Sequence, residues 1–228
     1  MKEKNSNMSA QDKIPVSVVF IGPPGSGKGT TAALLEKNHN IKSVSPGNIF
    51  KEIRNQNNDL SKLVIETTKN GGLCPDWLTN EIVKNEAQKL IKEGYTSISL
   101  DGYPRTLEQL DFLLANYDVK LFVHASAHWK ILEQKINNRR NCKHCKKVFS
   151  IDYFNLMCEK NGESNCAATS ELNWETRWDD NSDIFKRRYQ VYLKETYPII
   201  KKIKKLNTYL NLNLFNNESI NYITEKII

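Results

Sequence analysis

The stretch Gly22-Pro23-Pro24-Gly25-Ser26-Gly27-Lys28-Gly29-Thr30 constrains this chain more than any other. It follows the apolar run Val16-Ser17-Val18-Val19-Phe20-Ile21, which reads as a parallel strand buried on both faces. It precedes Thr31-Ala32-Ala33-Leu34-Leu35-Glu36-Lys37, which reads as a helix. Strand, glycine-rich loop, lysine and helix, in that order, is the setting a phosphate-binding loop requires. Gly25, Gly27 and Gly29 let successive main-chain N–H groups turn inward around phosphate oxygens. The helix start adds its positive end, and Lys28 reaches the terminal phosphates as a point charge. Ser26 and Thr30 belong to the same cradle. A tight strand–helix turn with a solvent-facing lysine is the competing reading, and it leaves the full pattern unexplained.

Two further stretches repeat the theme. Ser97-Ile98-Ser99-Leu100 reads as a strand running into Asp101-Gly102-Tyr103-Pro104-Arg105-Thr106, with Gln109 on the helix that follows. An acidic residue at the end of a strand beside such a loop holds the hydration shell of Mg²⁺, and Arg105 is placed to grip phosphate bidentately. Gln109 offers an amide able to read the edge of a base. The alternative for Asp101 and Arg105 is a structural salt bridge at a strand end. Near the C-terminal third, Arg177-Trp178-Asp179-Asp180 precedes a helix carrying Arg188, with Phe185, Tyr189, Tyr192 and Leu193 reading as its packing face. Between these stretches residues 52–69 read as one helix, with Leu60, Leu63, Val64 and Thr67 at helical spacing, and Val119-Lys120-Leu121-Phe122-Val123 reads as a fourth strand.

The loop form Gly-x-Pro-Gly-x-Gly-Lys-Gly-Thr, with glycine between lysine and threonine, is that of adenylate kinases and related nucleoside monophosphate kinases. The chain resembles this family from Val16 nearly to its C-terminus. The resemblance implies a P-loop NTPase α/β fold: a five-stranded parallel sheet flanked by helices, a helical NMP-binding excursion and a small β lid. Mapped onto this chain, residues 1–13 form a mobile tail, and residues 14–44, 76–138 and 178–228 form the core. Residues 45–75 are the excursion and residues 139–177 the lid. It implies Mg²⁺-dependent, reversible transfer of the γ-phosphoryl group of an NTP, ATP first, to AMP. Arg139 would then lie on the donor phosphates, and Val148 and Phe149 beside the donor nucleotide. Arg177 and Arg188 would converge on the transferred group. On the acceptor side the resemblance implies contacts from Pro46, Lys51, the loop Gly72-Leu73-Cys74, and Gly102, Tyr103, Pro104, Arg105 and Gln109. Pyrimidine-specific relatives carry Asn where Thr106 stands, so this position favours AMP.

The chain also departs from the family pattern. Pro46, Asn48 and Lys51 stand where the family has Thr, Asp and Arg, and Lys135 stands where an arginine stacks on the donor base. Pro46 still suits the first helical position after a Ser45 cap. Lys51 keeps the charge but loses the bidentate fork. These departures keep two other readings open: a GTP:AMP phosphotransferase, and a weakly active or inactive nucleotide-binding relative.

Four of the five cysteines fall within the lid, beginning at Cys142-Lys143-His144-Cys145 and continuing with Cys158 and Cys166. Cys-x₂-Cys is half of a tetrahedral zinc site. The set Cys142, Cys145, Cys158 and Cys166 could hold structural Zn²⁺; three cysteines with His144, reduced thiols, or disulfides are the alternatives. Cys74 reads as a small buried apolar residue.

The chain has 228 residues and a formal charge of +7. That length can bury a sizeable core in one domain with excursions. The positive charge suits a phosphate-handling enzyme; no basic run is interleaved with aromatics, so nucleic acid is not an expected partner. No apolar run reaches the length of a membrane span, and residues 1–13 show neither a secretory nor an arginine-rich leader pattern. The expectation is a monomer in reducing cytoplasm, with small-molecule nucleotides as partners.

Overall fold

A computed structural model describes residues 13–143, 148–151, 174–177, 179–216 and 218–228. Its centre is β1 (Ile14–Ile21), buried without interruption from Val16 onward. β2 (Lys42–Val44) and β3 (Ile98–Asp101) lie on one side of it, and β5 (Phe122–Ala125) and β9 (Tyr209–Leu212) on the other. The order is β2-β3-β1-β5-β9, and all neighbours are parallel. Val18 and Phe20 pack with Leu35, Val123, Ile223 and Ile227 on one face. Val16, Val19 and Ile21 pack with Leu100, Leu110, Leu113 and Ile199 on the other. Strict alternation would separate Val16 from Val19. A register irregularity against β3 between Val16 and Val18 puts them together.

The helices covering the sheet are α1 (Lys28–His39), α4 (Asp76–Lys92), α5 (Leu107–Asn116), α6 (Trp129–Asn137), α7 (Ser182–Val191), α8 (Tyr197–Ile203) and α9 (Glu218–Ile227). α2 (Pro46–Arg54) and α3 (Asp59–Thr68) form a separate apolar cluster around Ile53, Val64, Cys74 and Leu78. A second, antiparallel sheet joins β6 (Arg139–Cys142) to β7 (Val148–Ser150) and β8 (Trp174–Glu175). No helix among the described residues is long and apolar enough to cross a membrane.

Four expectations change. The fourth strand, expected over residues 119–123, consists of two pieces, β4 (Tyr117–Val119) and β5. Both pair with β1, so the main sheet counts six strands rather than five. The helix expected over residues 52–69 breaks at residues 55–58. There Asn57 takes φ 50°, and Asn58 and Ser61 form a reciprocal capping box that starts α3 afresh. Ser45 occupies the N-cap of α2 without a side-chain cap bond; its carbonyl accepts from Asn48 N and Ile49 N instead.

The fourth change falls after α7. Residues 192–196 form a π-turn, and Leu193, expected on the packing face, is 46 % exposed while Tyr192 and Thr196 are buried. The cause is Pro198: it has no N–H for the carbonyl of residue 194, and its ring crowds that carbonyl, so the helix widens and the face rotates.

Candidate active site

The loop after β1 turns through Gly25 (φ 82°) and Gly27 (φ 89°), and Gly27 is the N-cap of α1. A Cβ on Gly27 would stand 3.3 Å from Leu214 Cβ and 3.5 Å from Phe215 Cε1, so the residue is restricted both by conformation and by space. Lys28 folds back over the loop. Its Nζ donates to Pro23 O at 2.7 Å and to Ser26 Oγ at 3.1 Å, and Ser26 Oγ donates to Pro23 O at 2.8 Å. Burial lowers the Lys28 ammonium to about 8; Asp101 opposes that, and Arg105, Arg188 and Arg139 push it further down. A buried lysine held among other cations makes a site suited to a polyanion.

β3 delivers Asp101 directly beside the loop, because Asp101 pairs with Phe20 in register. A Cβ on Gly29 would lie 3.2 Å from Asp101 Oδ2, so glycine after the lysine is what allows this approach. Arg105 Nε donates back to Gly102 O at 2.8 Å, and Thr196 Oγ1 donates to Arg105 O at 2.9 Å. Burial lowers the Arg105 pKa, with Asp101 opposing. Tyr103 is fully buried, with its hydroxyl donating to Asn80 Oδ1 at 2.7 Å. Its side chain, expected at the acceptor, belongs to the core. Pro104 is buried beside it.

Arg139 of β6, Arg177 and Arg188 of α7 converge on two carboxylates. Arg177 Nε and Nη2 donate to Asp179 Oδ1 and Oδ2 at 2.9 and 3.0 Å, and Arg188 Nη1 donates to Asp179 Oδ2 at 2.7 Å. Arg139 forks onto both oxygens of Asp180, with Nε to Oδ2 at 2.8 Å and Nη2 to Oδ1. Burial alone would raise the Asp179 carboxyl; Arg188 and Arg177 outweigh it and hold it at about 2. Burial also lowers Arg188 to about 10 against the pull of Asp179. Asp179 and Asp180 were legible only as members of the Arg-x-Asp-Asp motif. Their part as the anchor of three guanidinium groups is a finding of the fold, as is that of Thr196.

Lys51, on α2, faces the same cluster. Burial lowers its ammonium to about 8, with Arg177 adding to the shift and Asp179 opposing it. Pro46 is buried at the first position of α2. The loop after α3 lies against α7: a Cβ on Gly71 (φ 78°) would stand 2.8 Å from Arg188 Cγ, and one on Gly72 2.5 Å from Thr67 O. Cys74 is 5 % exposed, its Sγ 3.3 Å from Thr67 Oγ1, and burial raises its thiol. An open cavity of about 320 Å³ lined by Leu73, Cys74, Pro75, Asp76, Thr106, Val191 and Glu195 lies at this end. In the small sheet Val148 is exposed, whereas the Phe149 ring is buried edge-on to Trp174 at 5.9 Å. Lys135 Nζ lies 5.2 Å from the centre of the Phe215 ring.

Of the cysteines expected to bind metal, Cys142 is buried at the end of β6, and Cys145, Cys158 and Cys166 lie outside the described residues. Among the described residues no three His, Cys, Asp or Glu side chains are grouped to hold a metal.

A parallel α/β sheet with a glycine-rich loop at the tip of its central strand, and a ring of lysine and arginine around that loop, defines a P-loop phosphotransferase. Comparison with known proteins narrows the class. The family model described as adenylate kinase matches residues 20–208. The chain is 36 % identical to an adenylate kinase of Thermosipho melanesiensis over 198 residues, which is 84 % of this chain and 89 % of that one. It is 35 % identical to an adenylate kinase of Thermosipho africanus, covering 87 % and 92 % of the two chains, and 31 % identical to one of Rickettsia akari, covering 88 % and 92 %. The chain belongs to the adenylate kinase family and is a nucleoside monophosphate kinase of that type.

Proposed function

We propose that the protein transfers the γ-phosphoryl group of ATP to AMP, reversibly and with Mg²⁺. The observation that carries this reading is the convergence of Lys28, Lys51, Arg105, Arg139, Arg177 and Arg188 on one another's charge. The loop of residues 25–30 and Lys28 hold the donor phosphates. Arg105 and Lys51 fix the acceptor phosphate in line. Arg139, Arg177 and Arg188 neutralise the equatorial oxygens as the group passes. The attacking oxygen is already ionised, so no general base is required. When bound, Mg²⁺ supplies further neutralisation of the donor phosphates. Asp101, at the end of β3 and against Gly29 of the loop, would hold its water shell. Residues 45–75 and 139–177 act as the closing excursion and lid, excluding water that would otherwise hydrolyse the donor.

The test is an assay of ATP, GTP and CTP against AMP, CMP, UMP and GMP. ATP with AMP is expected to be the best pair; turnover of none of them overturns the reading. GTP is the alternative donor, because Lys135, its ammonium over the Phe215 ring, stands where the family's arginine stacks on the donor base. The same assay separates the two donors.

Lys51→Arg is expected to lower the AMP KM about tenfold, the shift that ~1.4 kcal/mol from a bidentate phosphate grip produces. The donor KM should hardly move. Because Lys51 titrates near 8, the wild-type AMP KM should rise as pH climbs through that value and the ammonium loses its proton, whereas the arginine variant stays flat. Steady-state kinetics from about pH 7 to about pH 9, which brackets that titration, checks both. An unchanged or higher KM in Lys51→Arg would place the acceptor phosphate elsewhere.

The cysteine spacing supports a structural Zn²⁺ in the lid, outside the chemistry. Protein purified without chelator is expected to carry about one equivalent of zinc. Metal analysis that finds none would leave the lid held by hydrogen bonds and packing.

A further inference from the structure

Gln109 is 2 % exposed, and its amide is held at both ends. Oε1 accepts from Arg105 N at 2.8 Å, and Nε2 donates to Asp76 Oδ1 at 2.7 Å. A main-chain N–H only donates and a carboxylate only accepts, so neither partner can change role. Reversing the amide would set N–H against N–H and oxygen against carboxylate oxygen. The orientation of a glutamine amide is ordinarily ambiguous; in this site its neighbours dictate it. Thr106 tightens the arrangement. Its hydroxyl gives its one proton to Asp76 Oδ2 at 2.9 Å and accepts from Gln109 N at 3.1 Å, capping α5. Asp76 reaches this cluster from the first position of α4, on the far side of the acceptor loop. Among the described residues, one N–H of Nε2 and one lone pair of Oε1 remain unused.

We propose that Asp76 is a specificity-determining residue: it locks the polarity of the Gln109 amide so that the acceptor site takes adenine rather than a 6-oxopurine. Adenine presents an amino donor at position 6 beside an acceptor at N1, which matches a free carbonyl lone pair beside a free N–H. Hypoxanthine presents the reverse, a carbonyl acceptor beside an N1–H donor. To pair with it the amide would have to turn over, against both Arg105 N and Asp76. A site built on directed hydrogen bonds rejects the mismatched partner strongly because its own groups are left unpaired. This inference rests on the reading of Gln109 as the acceptor-base contact.

The probes are AMP and IMP, which differ only at this edge, each assayed as acceptor with ATP on the full chain. The wild type is expected to favour AMP by about 10²-fold in kcat/KM. Asp76→Asn replaces a strict acceptor with an amide that can either donate or accept, so one of the two constraints on the Gln109 amide is released and only Arg105 N still opposes its reversal. The AMP:IMP ratio should fall about tenfold or more, through KM rather than kcat. A merely structural role for Asp76 would lower both acceptors together and leave the ratio in place. Should Asp76→Asn fail to fold by thermal melting, Thr106→Val, which frees one carboxylate oxygen, should lower the ratio in the same direction by less. Normal AMP use with an unchanged ratio overturns the assignment of Asp76 alone. A wild type that phosphorylates neither acceptor overturns the acceptor-base reading and this inference with it.

Discussion

Lys28→Ala is expected to lower turnover by about 10³-fold while leaving the fold intact. This ammonium feels the charges of Arg105, Arg139 and Arg188, with Asp101 opposing them. Its hydrogen bonds run to Pro23 O and Ser26 Oγ, within its own loop. Its removal therefore costs transition-state stabilisation and not architecture. The folded value, about 8, lies below the unfolded one. The charged lysine thus destabilises the fold below that pH, and the penalty disappears as pH rises toward the ordinary lysine range. The variant should be at least as stable as the wild type near neutral pH and should lack the wild-type gain in stability above about pH 8. Steady-state kinetics and denaturant titration on either side of that value measure both. Near-normal turnover in a natively stable variant would rule out the phosphotransferase mechanism.

Asp179→Ala should be the most damaging single change to stability at the site. The residue is 7 % exposed and accepts from both Arg177 and Arg188. Deleting it leaves two guanidinium groups poorly paired in a part-buried setting, which typically costs about 3–5 kcal/mol. It also frees the two arginines that the proposed mechanism assigns to the transferred group, and a loss of about 10²-fold in kcat is expected. Asp179 has a folded value near 2, below its unfolded value. It contributes stability that is present above about pH 4 and lost as pH falls toward 2, worth about 2–3 kcal/mol. Urea titration across that acid range, on wild type and variant, tests the linkage. Equal acid sensitivity in the two proteins would mean that the carboxylate is not the anchor of this cluster.

Much of the site was readable without coordinates because local chemistry specifies it. A loop that must cradle phosphate needs glycines at set positions, a lysine at its end, a strand before it and a helix after it. All of these sit within consecutive residues. The break between α2 and α3 was less legible, since Ile53 and Leu60 stand seven residues apart, at helical spacing, on either side of the polar run 55–58 where Asn57 and the Asn58 cap end one helix and start the next. The exposure of Leu193 was not legible, because a proline two residues beyond the π-turn rotates the face that helical periodicity assigns.

The sequence by itself determined the phosphate loop and the parallel α/β class, and it marked Asp101, Arg105, Arg177 and Arg188 as candidate site residues. Each is set by residue type and spacing over a few neighbours, where short-range geometry leaves little choice. The tertiary structure alone decided which charges share a partner and which polar groups are spoken for. Asp179 joins Arg177 and Arg188, Asp180 holds Arg139, and Thr196 reaches Arg105 from 91 residues further along the chain. Asp76 meets Gln109 from another helix. The pairings of Asp180 with Arg139, Thr196 with Arg105 and Asp76 with Gln109 depend on where the sheet brings strand ends and helix starts together, over separations at which chain entropy erases any local preference. A buried polar group must also find a partner wherever the fold has placed one, and the sequence does not encode that address locally.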